Sequence, residues 1–396
     1  MASLDTLDLK GKKVLIRVDF NVPLNEAREI TDDSRMQAHV PTIKTVLSKG
    51  GKPILMSHLG RPKNGPSPEL SLKHLQTHLQ ELTGVDVQFI NDCIGEEVEL
   101  VANQLPENQI LLLENLRFHP EETKGDEAFA EALSRLADVY INDAFGTAHR
   151  AHASTAVIAK YFVGNKAFGR VLQSEIDNVN KVLKGGEKPV TAIVGGAKVS
   201  SKISILENLL DRIDNLVIGG GMAFTFIKAQ GGNTGNSLIE DDYLETARTI
   251  LKAAAEKNVE ILLPVDSKIA DQFSNEAETK ISPSNDIPAG WMGLDAGPES
   301  IKALEAVLLS SKTILWNGPL GVFEFENFSA ATKAAGELIV EATKKGAFSL
   351  VGGGDSVAAI KQFNMSDGVS YVSTGGGAML EFLEGKTLPG IQAILD

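Results

Sequence analysis

Short runs of β-branched and aliphatic residues alternate with amphipathic helical stretches from one end of this chain to the other. That alternation limits the fold more than any other feature. In the first half the sequence predicts strands at Lys13–Val18, Pro53–Ser57, Val85–Ile90, Ile110–Glu114 and Val139–Asn142. In the second half it predicts them at Val190–Val194, Leu216–Ile218, Ile261–Val265, Thr313–Asn317, Ser349–Val351 and Ser370–Val372. Between them lie helix signals. Ser71 can cap a helix with Leu72, Leu75, Leu79 and Leu82 on one stripe, and Asp126 one with Phe129, Leu133 and Leu136. Strands separated by helices form βαβ units and parallel sheets. The theme runs through twice in 396 residues, too many for one ordinary core. The expected fold is therefore α/β, with two doubly wound parallel-sheet domains joined by a breaker-free helix at 170–184. The domains are then 1–169 and 185–380. RPKNGPSPE (61–69) has the composition of an exposed loop.

Composition removes several function classes. A formal net charge of −14 speaks against nucleic acid as the main partner, because binding a phosphate backbone needs a basic face. No apolar run approaches the roughly 18 residues of a membrane span, and the opening MASLDTLDLKGKK has no secretory pattern. Cys93 is the only cysteine, so no internal disulfide can form and a reducing compartment, the cytoplasm, is expected. All seven histidines lie at or before His152, which suggests different tasks for the two halves.

Ligands of open α/β sheets bind beyond the carboxyl ends of the strands. In the first half those ends read RVDFNVPL, SHLGRP, ENLRFHP and INDAFGTAHRAH. They deliver Asp19, Asn21, His58, Arg61, Arg117 and Arg150 to one rim, with Arg35 following the first loop. Any one arginine is as readily a solvated surface charge. Several at successive strand ends point to a small polyanion, which guanidinium groups match bidentately. In the second half the strand ends meet glycine: IVGGAKVSSK, VIGGGMAFTF, LWNGPLGVFE, LVGGGDS and VSTGGGA. A strand–glycine–helix junction lets backbone N–H groups and the helix dipole face phosphate. One Gly-Gly-Gly is more often an ordinary turn; three, each straight after a strand, are harder to dismiss. Asp355 is a candidate Mg²⁺ ligand. Lys198 and Lys202, four apart, are expected on one side of a first helical turn. Met222, Phe224 and Phe226 read as core, and His39, His74 and His78 as helix-surface residues.

Other chemistries lack their signatures. The Gly-Lys-Thr at 385–387 has Leu380 where a P-loop needs its first glycine, and no triplet completes Gly-x-Gly-x-x-Gly. Cys93 sits among acids that raise a thiol pKa, and no Cys or His group has zinc spacing.

In order along the chain, RVDFNVP, SHLGRP, LLENLRFH, INDAFGTAHRAH, GGAKVSSKI, IGGGMAFTF, WNGPLGVFE, GGGDS and STGGGAMLE resemble the motifs of phosphoglycerate kinases, from about residue 10 to the last turn. Departures are small: Ser356 stands where Thr is common, and NEAREITDD replaces a glycine-containing loop before Arg35. The resemblance implies an N-terminal domain for 3-phosphoglycerate or 1,3-bisphosphoglycerate, to which residues 381–396 return, and a C-terminal domain for MgADP or MgATP. Carried over by motif, the triose site is Asp19, Asn21, Arg35, His58, Leu59, Gly60, Arg61, Arg117 and Arg150. The nucleotide and metal site is Lys198, Lys202, Gly219, Gly220, Gly293, Asn317, Pro319, Glu324, Gly353, Gly354, Asp355 and Ser356. Glu324 resembles the acid that takes the ribose hydroxyls, and Gly375, Gly376 and Gly377 the glycines that cradle the moving phosphoryl group. Arg35, Lys198, Lys202 and Gly376 are the expected catalytic set. A monomer and ligand-driven domain closure, hinged near the ends of the 170–184 helix and near 374–377, are also implied. The rivals are a nicotinamide-dependent oxidoreductase, which the missing third glycine disfavours, and a non-catalytic nucleotide-gated scaffold, which leaves the arginine rim without a purpose.

Overall fold

The computed structural model describes residues 3–63 and 65–396. It divides into two compact units, Met1–Ile176 with Thr387–Asp396, and Asp177–Lys386.

The sheet of the first unit is built from β1 (Lys13–Arg17), β2 (Lys52–Met56), β3 (Asp86–Phe89), β4 (Gln109–Leu112), β5 (Val139–Asn142) and β6 (Lys166–Phe168). Their order is β3-β4-β2-β1-β5-β6, and every pairing is parallel. Central strands carry apolar side chains on both faces, as parallel sheets covered by helices require; Val14, Leu15 and Ile16 of β1 are fully buried. The strands stop earlier than their apolar runs. Val18, Ser57 and Glu114 lie beyond them, and the Ser57 and Glu114 side chains accept from nearby backbone. Ser57 Oγ accepts from the Phe20 N–H at 2.9 Å, and the Glu114 carboxylate accepts from the N–H groups of Leu72 and Asn115. The 61–69 loop is described except for Asn64, which lies outside the described residues; it ends in a 3₁₀ turn over Pro68–Leu70. Thr387–Asp396 pack here: Gly390 N–H donates to Ala148 O at 2.8 Å, Lys166 Nζ to Ala393 O at 2.7 Å, and Ile391 and Ile394 are buried.

The second unit contains β7 (Val190–Val194), β8 (Asn215–Ile218), β9 (Asn233–Thr234), β10 (Glu260–Leu262), β11 (Asp266–Ala270), β12 (Thr279–Pro283), β13 (Asp286–Ile287), β14 (Met292–Ala296), β15 (Thr313–Asn317), β16 (Phe348–Val351) and β17 (Tyr371–Val372). The main sheet, again parallel, has the order β10-β8-β7-β15-β16-β17. Its core gathers around fully buried Trp316 of β15. β10 ends at Leu262 rather than Val265, since it pairs only with β8 and Val265 is 60% exposed. A small antiparallel sheet, β12-β11-β14, and the pair β13-β9 have no counterpart in the sequence expectation. Their strands are short and β12 is almost wholly exposed, so neither length nor alternation marks them.

In each main sheet the chain reverses its direction of growth next to the first strand, between β1 and β5 and between β7 and β15. Such switch points open a crevice at the strand ends.

Candidate active-site rims

At the first switch point Arg17, the last residue of β1, is wholly buried. Its Nε donates to Ser154 Oγ at 2.9 Å, and its Nη2 lies 3.1 Å from His58 Nδ1. A guanidinium only donates, so Nδ1 of His58 accepts and the ring carries its proton on Nε2. Burial, and then the charge of Arg17, drive His58 well below the ordinary histidine range, so the ring is neutral at pH 7. Beside it, burial pushes the Asp19 carboxyl up, but His58, Arg35, Arg17 and His39 together outweigh burial and hold it below its ordinary value. With His58 neutral, the arginines carry that effect. Arg35 reaches Asp19 Oδ2 at 3.4 Å and Asn21 O at 3.0 Å, while Asn21 Oδ1 accepts from the Gly60 N–H at 2.8 Å.

Asn115 Nδ2 ties down Leu59 O and Leu70 O, each at 2.8 Å, and Asn115 Oδ1 caps the turn that carries Arg117. Arg117 Nη1 donates to Gly60 O at 2.9 Å, but its buried Nε has no hydrogen-bond partner. His152 Nδ1 is also buried and makes no hydrogen bond, with Glu122 Oε1 3.9 Å away; burial and the nearby Arg117, Arg17 and Arg150 push its pKa down to about 4. Thus Asp19, Asn21, Arg35, His58, Leu59, Gly60 and Arg117 form one bonded group, and Arg61 and Arg150 stand exposed.

Sequence reasoning missed the layer beneath. His39 is not on a helix surface. It is 2% exposed, on the stripe of Met36, Ile43 and Val46 in the Ser34–Ser48 helix. Its Nε2 accepts from the Asp19 N–H at 3.0 Å, so Nδ1 donates to Asp143 Oδ2 at 2.7 Å. Its place in that apolar stripe was the available signal. Arg17, Glu122 and Ser154 form a second buried chain, with Ser154 Oγ donating to Glu122 Oε1 at 2.6 Å.

At the second switch point the turns after β7 and β15 nearly touch. A Cβ on Gly195 would lie 2.0 Å from Pro319 O, and one on Gly318 2.1 Å from Gly195 O. Only glycine allows that approach. Lys202 Nζ donates to Asn317 Oδ1 at 2.6 Å, Asn317 Nδ2 donates to Gly352 O at 2.8 Å, and Ser356 Oγ accepts from the Gly318 N–H at 2.5 Å. Burial lowers the pKa of Lys202, against the opposing charges of Asp355 and Glu384. Gly353, at φ +90°, starts the Gly354–Gln362 helix, whose first turn carries Asp355.

A cleft of about 1140 Å³ opens beside these groups. Gly219, Gly220, Gly293, Pro319, Glu324 and Asp355 line it, together with Phe224, Leu238 and Met292. Phe224 is only 4% exposed and packs with Ile227, Ile269 and Ile287; the tip of its ring would lie 2.0 Å from a Cβ on Gly293. It is both core and cleft wall.

Lys198 does not share a helical turn with Lys202. Val199–Ser201 is a 3₁₀ turn with extended, exposed Lys198 before it, and the helix begins only at Ile203. Both lysines flank the 3₁₀ turn in non-helical backbone, so an α-helical spacing of four does not relate them. Lys198 and Gly376, the latter at φ +50°, lie outside the cleft wall. Asp295, from β14, was not foreseen. It is 3% exposed and lines the cleft, and its carboxylate accepts from the N–H groups of Ala296 and Ala331. Burial, opposed by those bonds and by Lys268, pushes it up to about 7.

The sequence model of the family described as phosphoglycerate kinase matches residues 4–386. Phosphoglycerate kinase of Porphyromonas gingivalis is 53% identical over 416 aligned positions, covering 99% of each chain. The cytosolic phosphoglycerate kinase of Triticum aestivum is 53% identical over 394, covering all of this chain and 98% of its own. The solved structure of phosphoglycerate kinase from Coxiella burnetii superposes with a TM-score of 0.92 at 40% identity, covering all of this chain and 98% of that one. Together with two parallel sheets whose switch points carry cationic side chains and glycine junctions, these findings place the molecule among the phosphotransferases. It belongs to the phosphoglycerate kinase family and acts in glycolysis.

Proposed function

We propose that the first rim holds the triose and the second the nucleotide, so that the enzyme moves a phosphoryl group from 1,3-bisphosphoglycerate to ADP and back. Support for the triose side comes above all from Arg117, a half-buried guanidinium whose buried Nε has no hydrogen-bond partner, among further cations. An unsatisfied buried donor costs about 1–3 kcal/mol, which an oxyanion relieves. His58, neutral with its proton on Nε2, donates to the triose without adding charge. The cleft walled by Gly219, Gly293 and Glu324 takes the nucleoside, and Asn317, Lys202 and the helix start at Gly354 take its phosphates. Asp355, a hard oxygen donor on the cleft wall, suits Mg²⁺, which keeps waters and phosphate oxygens as its other ligands. When bound, the ion neutralises phosphate charge.

The chemistry needs no base. In the ATP-forming direction the leaving group is a carboxylate, and the attacking β-phosphate oxygen is already deprotonated. What remains is repulsion between anions and the charge on three equatorial oxygens, which Arg35, Lys202 and backbone N–H groups stabilise during in-line transfer. The enzyme works as a cytoplasmic monomer in this proposal.

Titration calorimetry tests the division of labour. Arg150→Ala, Arg61→Ala and His58→Ala each weaken 3-phosphoglycerate binding and leave MgATP unchanged, and Glu324→Ala does the reverse. Loss of both affinities in any one variant rejects it.

A further inference from the structure

Behind the triose rim, two strand-end loops bring His119 beside the sequence neighbours Asp92 and Cys93. Asp92 and Cys93 follow β3, and His119 follows the turn of Leu116–Phe118. One donor atom from each lies within 4.8 Å of the other two, the one such group of His, Cys and carboxylate ligands among the described residues. The cluster is organised from behind. Asp92 O accepts from the Glu114 N–H at 3.3 Å, Asp92 Oδ1 accepts from the Cys93 N–H at 2.7 Å, and the His119 ring lies 5.1 Å from that of Phe129. His119 Nε2 already sits 2.8 Å from Asp92 Oδ1. Cys93 is fully buried, while Asp92 and His119 are half exposed, so the group has a closed soft side and an open wet one.

We propose that Cys93, His119 and Asp92 bind a borderline-soft divalent cation of the zinc type, with water as the fourth ligand. Tetrahedral zinc bonds of 2.0–2.3 Å set ligand atoms roughly 3.5 Å apart, so on binding His119 and Asp92, now 2.8 Å apart, spread slightly while the longer separations in the triad close. The ion takes a sulfur lone pair and the thiol proton leaves to solvent. His119 binds through Nε2 as a neutral ring, its proton on Nδ1, and Asp92 gives one oxygen. Magnesium, which demands oxygen ligands, is excluded by the thiolate. Occupancy ties the loop after β3 to the turn that carries Arg117.

Because Cys93 is the only cysteine, any thiolate-to-cobalt charge-transfer band reports this site alone. The full chain titrated anaerobically with Co²⁺ should develop that band and the visible spectrum of four-coordinate cobalt, saturating at one ion per chain. Zn²⁺ should displace the cobalt and raise the melting temperature. His119→Ala should weaken binding by about 100-fold and Asp92→Asn by about tenfold. Cys93→Ser should abolish the band, but Cys93 is buried and its loss can disturb the fold, so the two half-exposed positions decide the matter. Absence of the band in the wild-type chain, or unchanged affinity in His119→Ala, overturns the site.

Discussion

Arg35 enters the first rim from the start of a helix and is held by Asp19 and by the Asn21 carbonyl, at the edge of the groups that bind rather than inside the fold. Lys202 stands in the same relation to the second rim, anchored on Asn317. In the proposed reaction both meet charge that builds up only during transfer. Arg35→Ala and Lys202→Ala should therefore each lower kcat by about 100-fold or more, the scale of a lost oxyanion donor, with smaller changes in ligand affinity. Steady-state rates close to wild type in either variant reject its catalytic role. Residues of this kind were legible because they follow predicted strands and have no business in a core. Arg17 and His39 were not, since each sits among apolar residues where a polar one reads as an accident of pattern, and nothing beside Asp143 marks its partner. Their partners come from segments far along the chain, such as His39 with Asp143, and no local period records that. The pairing of Lys198 with Lys202 failed for a related reason: an assumed α-helical turn is a 3₁₀ turn.

The strands of the two main sheets announced themselves through alternation with helices, and the glycines at their ends marked the junctions. The strand order was not legible, nor was the accessory sheet that brings Gly293 and Asp295 to the cleft; β14 is five residues without a strand's alternation. Asp295 joins that sheet to the Ala330–Lys344 helix by accepting from the Ala331 N–H in its first turn. Its native pKa of about 7 lies above the roughly 3.9 of an unfolded aspartate. The folded state therefore binds the proton more tightly, and this group's contribution to stability is full below about pH 4 and falls as pH rises to about 7. The fall is on the order of 1.4 kcal/mol per pH unit across that window. Denaturant unfolding between pH 4 and 7 should show wild type losing stability relative to Asp295→Asn as pH increases. A difference between the two that does not change with pH refutes the assignment.

For the molecule as a whole, the proposed division of labour puts the triose on one unit and the nucleotide on the other, so that in-line transfer requires them to meet. On that proposal either ligand alone has little preference for a closed state, and both together have it. Small-angle scattering should show a smaller radius of gyration with 3-phosphoglycerate plus a non-reacting MgATP analogue than with either alone. Identical curves for free and doubly liganded protein dismiss closure.

The first unit is also discontinuous in sequence, and that bears on how the molecule is made. A ribosome releases Asp177–Lys386 in full before it delivers Thr387–Asp396, the piece that covers Asn142 and Ala148. At 5–20 residues per second that interval is roughly 10 to 40 seconds. Throughout it, the N-terminal sheet has no seat filled by Ile391 and Ile394, and at its end the second unit has every residue it needs while the first still does not. The half of the chain synthesised first is thus the last to be finished, and for that time its unfilled apolar seat is the newborn protein's exposed flank, the part a chaperone has most reason to hold.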